Sequence, residues 1–238
     1  MKLIETTLGI LYPHNCSLCA VPIPETRRGW ICEACESGVK YIRPPFCKRC
    51  GAPFPGEITT EFECFHCAGI KLHFETAVCA TRAEGIAREC IHNLKYRRHV
   101  WLDQHLAQWL GDASEERVRW DDVGAIVPVP LFPRRERERE FNQAQLIAEH
   151  LARRFQKRLI SRSLRRVRDT RTQTRLDRGE RERNVYGAFA VRDTDVIRGR
   201  GIALVDDVYT TGATTSECAR VLKKAGAELV IALAVAHG

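Results

Sequence analysis

The stretch Ile202-Ala203-Leu204-Val205-Asp206-Asp207-Val208-Tyr209-Thr210-Thr211-Gly212-Ala213-Thr214-Thr215 decides the fold. Four apolar residues lead into two adjacent acids, and those lead into a threonine-rich turn with one glycine. Ile202 to Val205 read as a buried parallel strand. A helix follows the turn, burying Cys218, Val221, Leu222 and Ala225 and stopping at Gly226. A last strand runs from about Leu229 to Val235. The unit is β–loop–α–β, with polar chemistry at the carboxyl end of a strand. Open parallel sheets bind ligands there.

Each residue type in the turn has a chemical reason. Threonines and a glycine at a helix N-terminus offer hydroxyls and unpaired N–H groups to a phosphate. Gly212 permits close backbone approach or a left-handed turn. Paired carboxylates would repel a phosphate placed on them, but they accept hydrogen bonds from sugar hydroxyls or support a magnesium ion. An ordinary N-cap explains the threonines and leaves Asp206 and Asp207 unexplained. A ribose 5-phosphate satisfies both halves.

Working outward, Phe74 to Ala80 reads as a strand and Ala125 to Val129 as another, its end marked by Pro128 and Pro130. Ile86, Cys90, Ile91 and Leu94 share one helix face, as do Leu102, Leu106, Trp109 and Leu110. A further helix spans about Asn142 to Phe155, with Asn142 as N-cap. Residues 161–184 look different: nine arginines, no lysine and no helical stripe, which reads as a solvated loop. Its task is either none or the binding of phosphates, as a flap or a nucleic-acid contact through Arg162, Arg165, Arg166, Arg168 and Arg178.

Upstream lie four Cys-x-x-Cys pairs: Cys16/Cys19, Cys32/Cys35, Cys47/Cys50 and Cys64/Cys67. Two intervening residues let one tight turn aim both thiolates at one tetrahedral ion. Disulfides and a redox dithiol fit four successive pairs poorly. An iron–sulfur cluster also takes four thiolates; two structural Zn2+ sites are the preferred reading. Sequential closure (Cys16, Cys19, Cys32, Cys35, then Cys47, Cys50, Cys64, Cys67) needs only local contacts and is favoured over interleaving. Cys79, Cys90 and Cys218 lack partners at ligand spacing and read as buried small hydrophobes. Trp30, Phe46, Phe54, Phe62 and Phe65 could stack on single-stranded bases, but filling space between knuckles is the preferred reading.

The 238 residues carry a formal charge of +8, and residues 134–183 alone supply +9. The longest apolar run, Leu229 to Ala236, is eight residues, short of the roughly 18 a membrane helix needs. The first residues lack a basic, then apolar, leader pattern. A cytoplasmic location is the expectation. The domains expected are a double zinc ribbon over 1–72 and an α/β domain over 73–238, with the arginine segment at 161–184.

The acid-pair turn resembles the phosphoribosyl pyrophosphate (PRPP) motif of type I phosphoribosyltransferases: apolar strand, two acids, aliphatic residue, Thr/Gly-rich loop. With it, the cysteine pairs, Leu94-Lys95-Tyr96, Pro128-Val129-Pro130, Phe141-Asn142-Gln143-Ala144, Arg171 to Gln173, and Asn184 with Gly187-Ala188-Phe189 follow the order of the ComF family. The resemblance spans almost the whole chain. It implies a type I phosphoribosyltransferase-like parallel sheet flanked by helices, and a link to uptake or utilisation of DNA. One departure stands out: the family's Arg-Gly-Phe-Asn-Gln is Arg139-Glu140-Phe141-Asn142-Gln143 here, an acid unfavourable beside pyrophosphate unless it points away.

The resemblance implies roles. Asp206 and Asp207 would take the ribose hydroxyls. Val208, Tyr209, Thr210, Thr211, Gly212, Ala213 and Thr214 would form the 5-phosphate turn. Pro128 and Val129 would lie against the pyrophosphate, neutralised by Mg2+, and Arg171 or Arg175 would close over it. The reaction would displace pyrophosphate at the anomeric carbon. Three accounts follow: a PRPP-binding protein contacting single-stranded DNA and proteins of the DNA-uptake machinery, an active transferase, and a nucleobase salvage enzyme. No acceptor pocket is legible in the sequence.

Overall fold

Strands buried on both faces must be parallel and flanked by helices, and the apolar strands here obey this. The computed structural model describes residues 14–24, 29–58, 62–170 and 177–238. In chain order these form α1 (Glu33–Ser37), β1 (Ala77–Arg82), α2 (Gly85–Arg97), α3 (Asp103–Arg117), β2 (Ala125–Pro128), α4 (Pro133–Arg139) and α5 (Gln143–Arg154). There follow β3 (Arg158–Leu159), β4 (Leu164–Arg166), α6 (Arg178–Val185), β5 (Phe189–Val191), β6 (Gly201–Tyr209), α7 (Ala213–Lys224) and β7 (Leu229–His237). Five strands make one parallel sheet in the order β1-β7-β6-β2-β3. The expected α/β class is the observed one.

Alternation along the strands sorts the core into two faces. Ala203, Val205, Ile231 and Leu233 meet Leu94 of α2, Leu106 and Leu110 of α3, and Ile147 and Leu151 of α5. Ile202, Leu204, Val230 and Ala232 meet Cys218 and Leu222 of α7 and the antiparallel pair β4–β5. Cys79, Cys90 and Cys218 are fully buried, as read from the sequence.

The cysteine-rich segment straddles the sheet edge. Ile42 N donates to Ala80 O at 2.8 Å and Arg82 N to Lys40 O at 2.9 Å, covering β1. Before this crossing, Ile31 and Val39 join the face of α2 and α3. After it, Cys47, Cys50, Cys67 and Phe74 join the face of α7.

Two expectations need correction. The strand expected at Phe74 to Ala80 is shifted to Ala77–Arg82, where partners on β7 exist from Ala77↔Ala232 to Arg82↔His237. The arginine segment is not a continuous loop: it contains β4 and α6. Its helix lacks an apolar stripe but starts on a capping box. Glu180 N donates to Asp177 Oδ1 at 2.8 Å and Asp177 N to Glu180 Oε2 at 2.9 Å.

Candidate functional site

β6 does not end before the acids. Its pairing with β7 continues through Asp206↔Ala234 to Tyr209↔His237, so both carboxylates sit on the strand. Asp207 faces α2 and α5. It pairs with Lys95 Nζ and accepts from Gln143 Nε2 at 3.1 Å. Its side chain is only 5% exposed and that of Lys95 19%. Burial pushes Asp207 up, but Lys95 outweighs it and holds the carboxyl below its usual range. Asp206 is half-buried, and its Oδ1 accepts from Asp207 N at 2.8 Å. Burial and the neighbouring Asp207 charge push Asp206 well above the carboxylate range. Two adjacent acids are thus shifted in opposite directions.

Lys95 and Gln143 are the residues that residue-by-residue reasoning missed. Both lie in runs matching the family order, yet nothing local marks either as a partner of Asp207. Arg139 extends the network, donating to Gln143 Oε1 and lying 5.6 Å from the Tyr96 ring centroid.

The turn after β6 leads directly into a helix N-terminus. Gly212 is the N-cap of α7 at φ +76°, a residue with no side chain to cap the helix. A Cβ at Gly212 would lie 2.2 Å from the Tyr209 hydroxyl, so glycine is required there. Thr211 Oγ1 is buried without a hydrogen-bond partner. A helix N-terminus beside an orphaned hydroxyl suits an anion. Thr210 is exposed, Thr214 half-buried and Ala213 buried in the first turn of α7. Tyr209 is 3% exposed and packs edge-on to Phe74, beneath the turn. Val208 is half-buried against the α2/α3/α5 face.

The adjacent strand brings its loop to the same place. Pro128 pairs with Val205, and Val129 N donates to Val205 O at 2.8 Å. Asn142 caps α5 as expected, accepting from Ala144 N at 3.0 Å, and donates to Val129 O at 3.0 Å. The Glu140 side chain is exposed and pairs with Arg98 at 2.9 Å. Its φ is +73°, at the C-cap of α4, where glycine is the favoured residue.

The arginines divide. Arg162 and Arg165 are exposed and line a cleft with Arg158 and Arg192 beside β3. Arg166 is half-buried, 5.2 Å from the Phe189 ring centroid and within electrostatic reach of Asp206. Arg168 donates to Asn184 O at 3.0 Å and Tyr186 O at 2.7 Å. Arg171 and Arg175 lie outside the described residues, as does the Arg178 side chain.

The cysteines assemble in the sequential order: Cys16, Cys19, Cys32 and Cys35, then Cys47, Cys50, Cys64 and Cys67. Sulfur separations are 3.8 Å for Cys16–Cys35, 3.5 Å for Cys19–Cys32 and 3.6 Å for Cys50–Cys64. Zn–S bonds of about 2.3 Å in a tetrahedron require S···S of about 3.8 Å. Disulfides need about 2.05 Å. Backbone N–H groups of Cys32 and Cys64 point at Cys16 Sγ and Cys47 Sγ, at 3.4 and 3.2 Å, as thiolates demand. The two clusters fit two structural zinc ions. Trp30, Phe46, Phe54 and Phe62 pack against neighbouring side chains, whereas Phe65 is 91% exposed.

A double zinc ribbon domain model matches residues 7–68. The chain is 31% identical over 223 residues to the DNA utilization protein YhgH of Salmonella typhimurium, spanning 92% of this chain and 94% of that one. The chain belongs to the ComF family. Competence protein F of Haemophilus influenzae is 29% identical over 202 residues, 83% of this chain and 86% of that protein. Competence protein ComFC of Bacillus subtilis is 26% identical over 204 residues, 82% of this chain and 79% of that protein. Among the described residues, no helix of this ComF protein is long and apolar enough to cross a membrane.

Proposed function

We propose that this ComF protein binds PRPP at the β6–α7 turn and contacts single-stranded DNA through its exposed arginines, in the cytoplasm, in the handling of incoming DNA. The observation that carries the reading is the pairing of an α7 N-terminus that has glycine as its N-cap with an orphaned Thr211 hydroxyl, next to two acids. The 5-phosphate takes Thr210 to Thr214. Asp206, the acid not claimed by Lys95, takes the ribose hydroxyls, while Asp207 is oriented by Lys95 and Gln143. The raised Asp206 suits a site completed by a cation; Mg2+ held by the acids and the pyrophosphate would neutralise charge. Pro128 and Val129 flank the pyrophosphate, and Arg171 or Arg175 covers it. Transfer to an acceptor would make the chain a phosphoribosyltransferase; pyrophosphate release with a panel of bases tests that step. Proteins of the DNA-uptake machinery are the further partners this role implies.

Calorimetry with PRPP and Mg2+ tests the site. Wild type binds, while Asp206→Asn and Thr211→Val each lose affinity with unchanged circular dichroism. Equal affinity in all three overturns the assignment.

A further inference from the structure

A cavity of about 470 Å³ lies between the second four-cysteine cluster and the carboxyl ends of β6 and β7. Its walls include Cys50, Ala52, His66, Arg181, Tyr209 and His237, and it opens onto Thr210 and Thr211. We infer that this cavity holds a nucleobase, free or at the end of a single strand, beside the sugar-phosphate site. The inference rests on the PRPP reading for its neighbour, but stands on its own observations.

The volume falls within the roughly 300–1,000 Å³ of small-molecule sites. Tyr209 and His237 form an aromatic wall, their centroids 5.3 Å apart and planes inclined by 31°. His237 Nε2 is buried without a partner. A purely apolar occupant would leave it unsatisfied, which is costly; a small anion would not use the aromatic wall. A flat heterocycle with hydrogen-bonding edges answers both features. Phe65 neighbours the lining residue His66: it is 91% exposed and its ring centroid is 6.1 Å from that of His66. Phe65 is far more exposed than Trp30 at 36% or Phe54 at 41%, so space-filling does not account for it. The second zinc ribbon is thereby part of the binding site as well as a fold element.

The zinc-loaded full chain is titrated with 2-aminopurine deoxyriboside and, separately, with an oligothymidylate ending in 2-aminopurine, reading fluorescence quenching on stacking. Wild type quenches at least one probe. Ala52→Phe fills the cavity and weakens that probe about tenfold or more, the loss expected when a base forfeits a stacking contact. PRPP affinity and zinc content stay unchanged. Loss for the nucleoside alone identifies a free base, loss for the oligomer alone a strand end, and loss for both a site open to either. If Ala52→Phe misfolds, the exposed pair Phe65→Ala and His66→Ala carries the test on the same terms. No quenching by wild type, or quenching that survives these substitutions, overturns the inference while PRPP binding stands. Failure of wild type to bind PRPP overturns the sugar-phosphate reading instead.

Discussion

Asp206 and Asp207 are adjacent in sequence, yet replacing each by asparagine is expected to change stability in opposite directions. Asp207→Asn removes the counter-charge of Lys95, whose side chain is 19% exposed, and keeps only an amide facing Gln143. Stranding one member of a buried pair costs about 3 kcal/mol, discounted slightly for the water that reaches Lys95. Asp206→Asn removes a carboxyl that burial and Asp207 already disfavour as an anion, so the ligand-free protein gains stability at neutral pH. The pH dependence follows the same signs. Asp207 is held low, so its contribution is present above the unfolded carboxylate pKa of about 3.9 and is lost as pH falls through its folded value. Asp206 is held high, so its contribution is present below about 3.9 and is lost as pH rises through its folded value. Urea denaturation of wild type and both variants from pH 4 to 8 measures this. Lys95→Met with Asp207→Asn should cost less than the sum of the single losses. Additive losses, or an Asp206→Asn variant less stable than wild type at pH 7, would refute the reasoning.

Cys67→Ser should lower Tm more than Cys19→Ser, because Cys67 shares the core with α7 while Cys19 is exposed; differential scanning fluorimetry with zinc quantification reads this, and equal shifts count against it. Strong chelation should release two zinc ions per chain and unfold the ribbon segment, as followed by colorimetric zinc assay and limited proteolysis. Glu140→Gly should raise stability by up to about 1 kcal/mol. The left-handed φ costs a non-glycine residue roughly 1–2 kcal/mol, the entropy of glycine returns about 0.5–1, and the exposed Arg98 pair adds little. A measured loss in urea would reverse that sign. Arg162→Ala with Arg165→Ala should flatten the salt dependence of single-strand binding by about 0.7 in log–log slope per arginine; an unchanged slope removes these two from the DNA contact.

The site was legible where its chemistry is local. The acid pair, the threonines and Gly212 lie within one turn, and each Cys-x-x-Cys pair is a single knuckle, so spacing carries their meaning. Sequential closure of the clusters was legible because the connecting lengths favour it. The helix α6 was not, because it is held by Asp177 and Glu180 at its start and by long-range contacts such as Gly187 N to Glu217 Oε1 at 2.8 Å. No apolar periodicity announces such a helix. Glu140 looked unfavourable near a pyrophosphate until the C-cap geometry turned it toward Arg98.

By itself, the sequence determined the parallel α/β class, the two tetracysteine sites and the threonine–glycine turn before α7, since strand hydrophobicity, thiolate spacing and helix-terminus chemistry are short-range properties. Only the tertiary structure decided that Lys95 and Gln143 claim Asp207 and not Asp206. The pleat sends neighbouring carboxylates to opposite faces, and helices distant along the chain supply the partners on one of them. The same packing put the second cluster, and the cavity beside it, against the end of β6. Charges and cavities belong to surfaces that meet across the chain, and no window of sequence contains both sides.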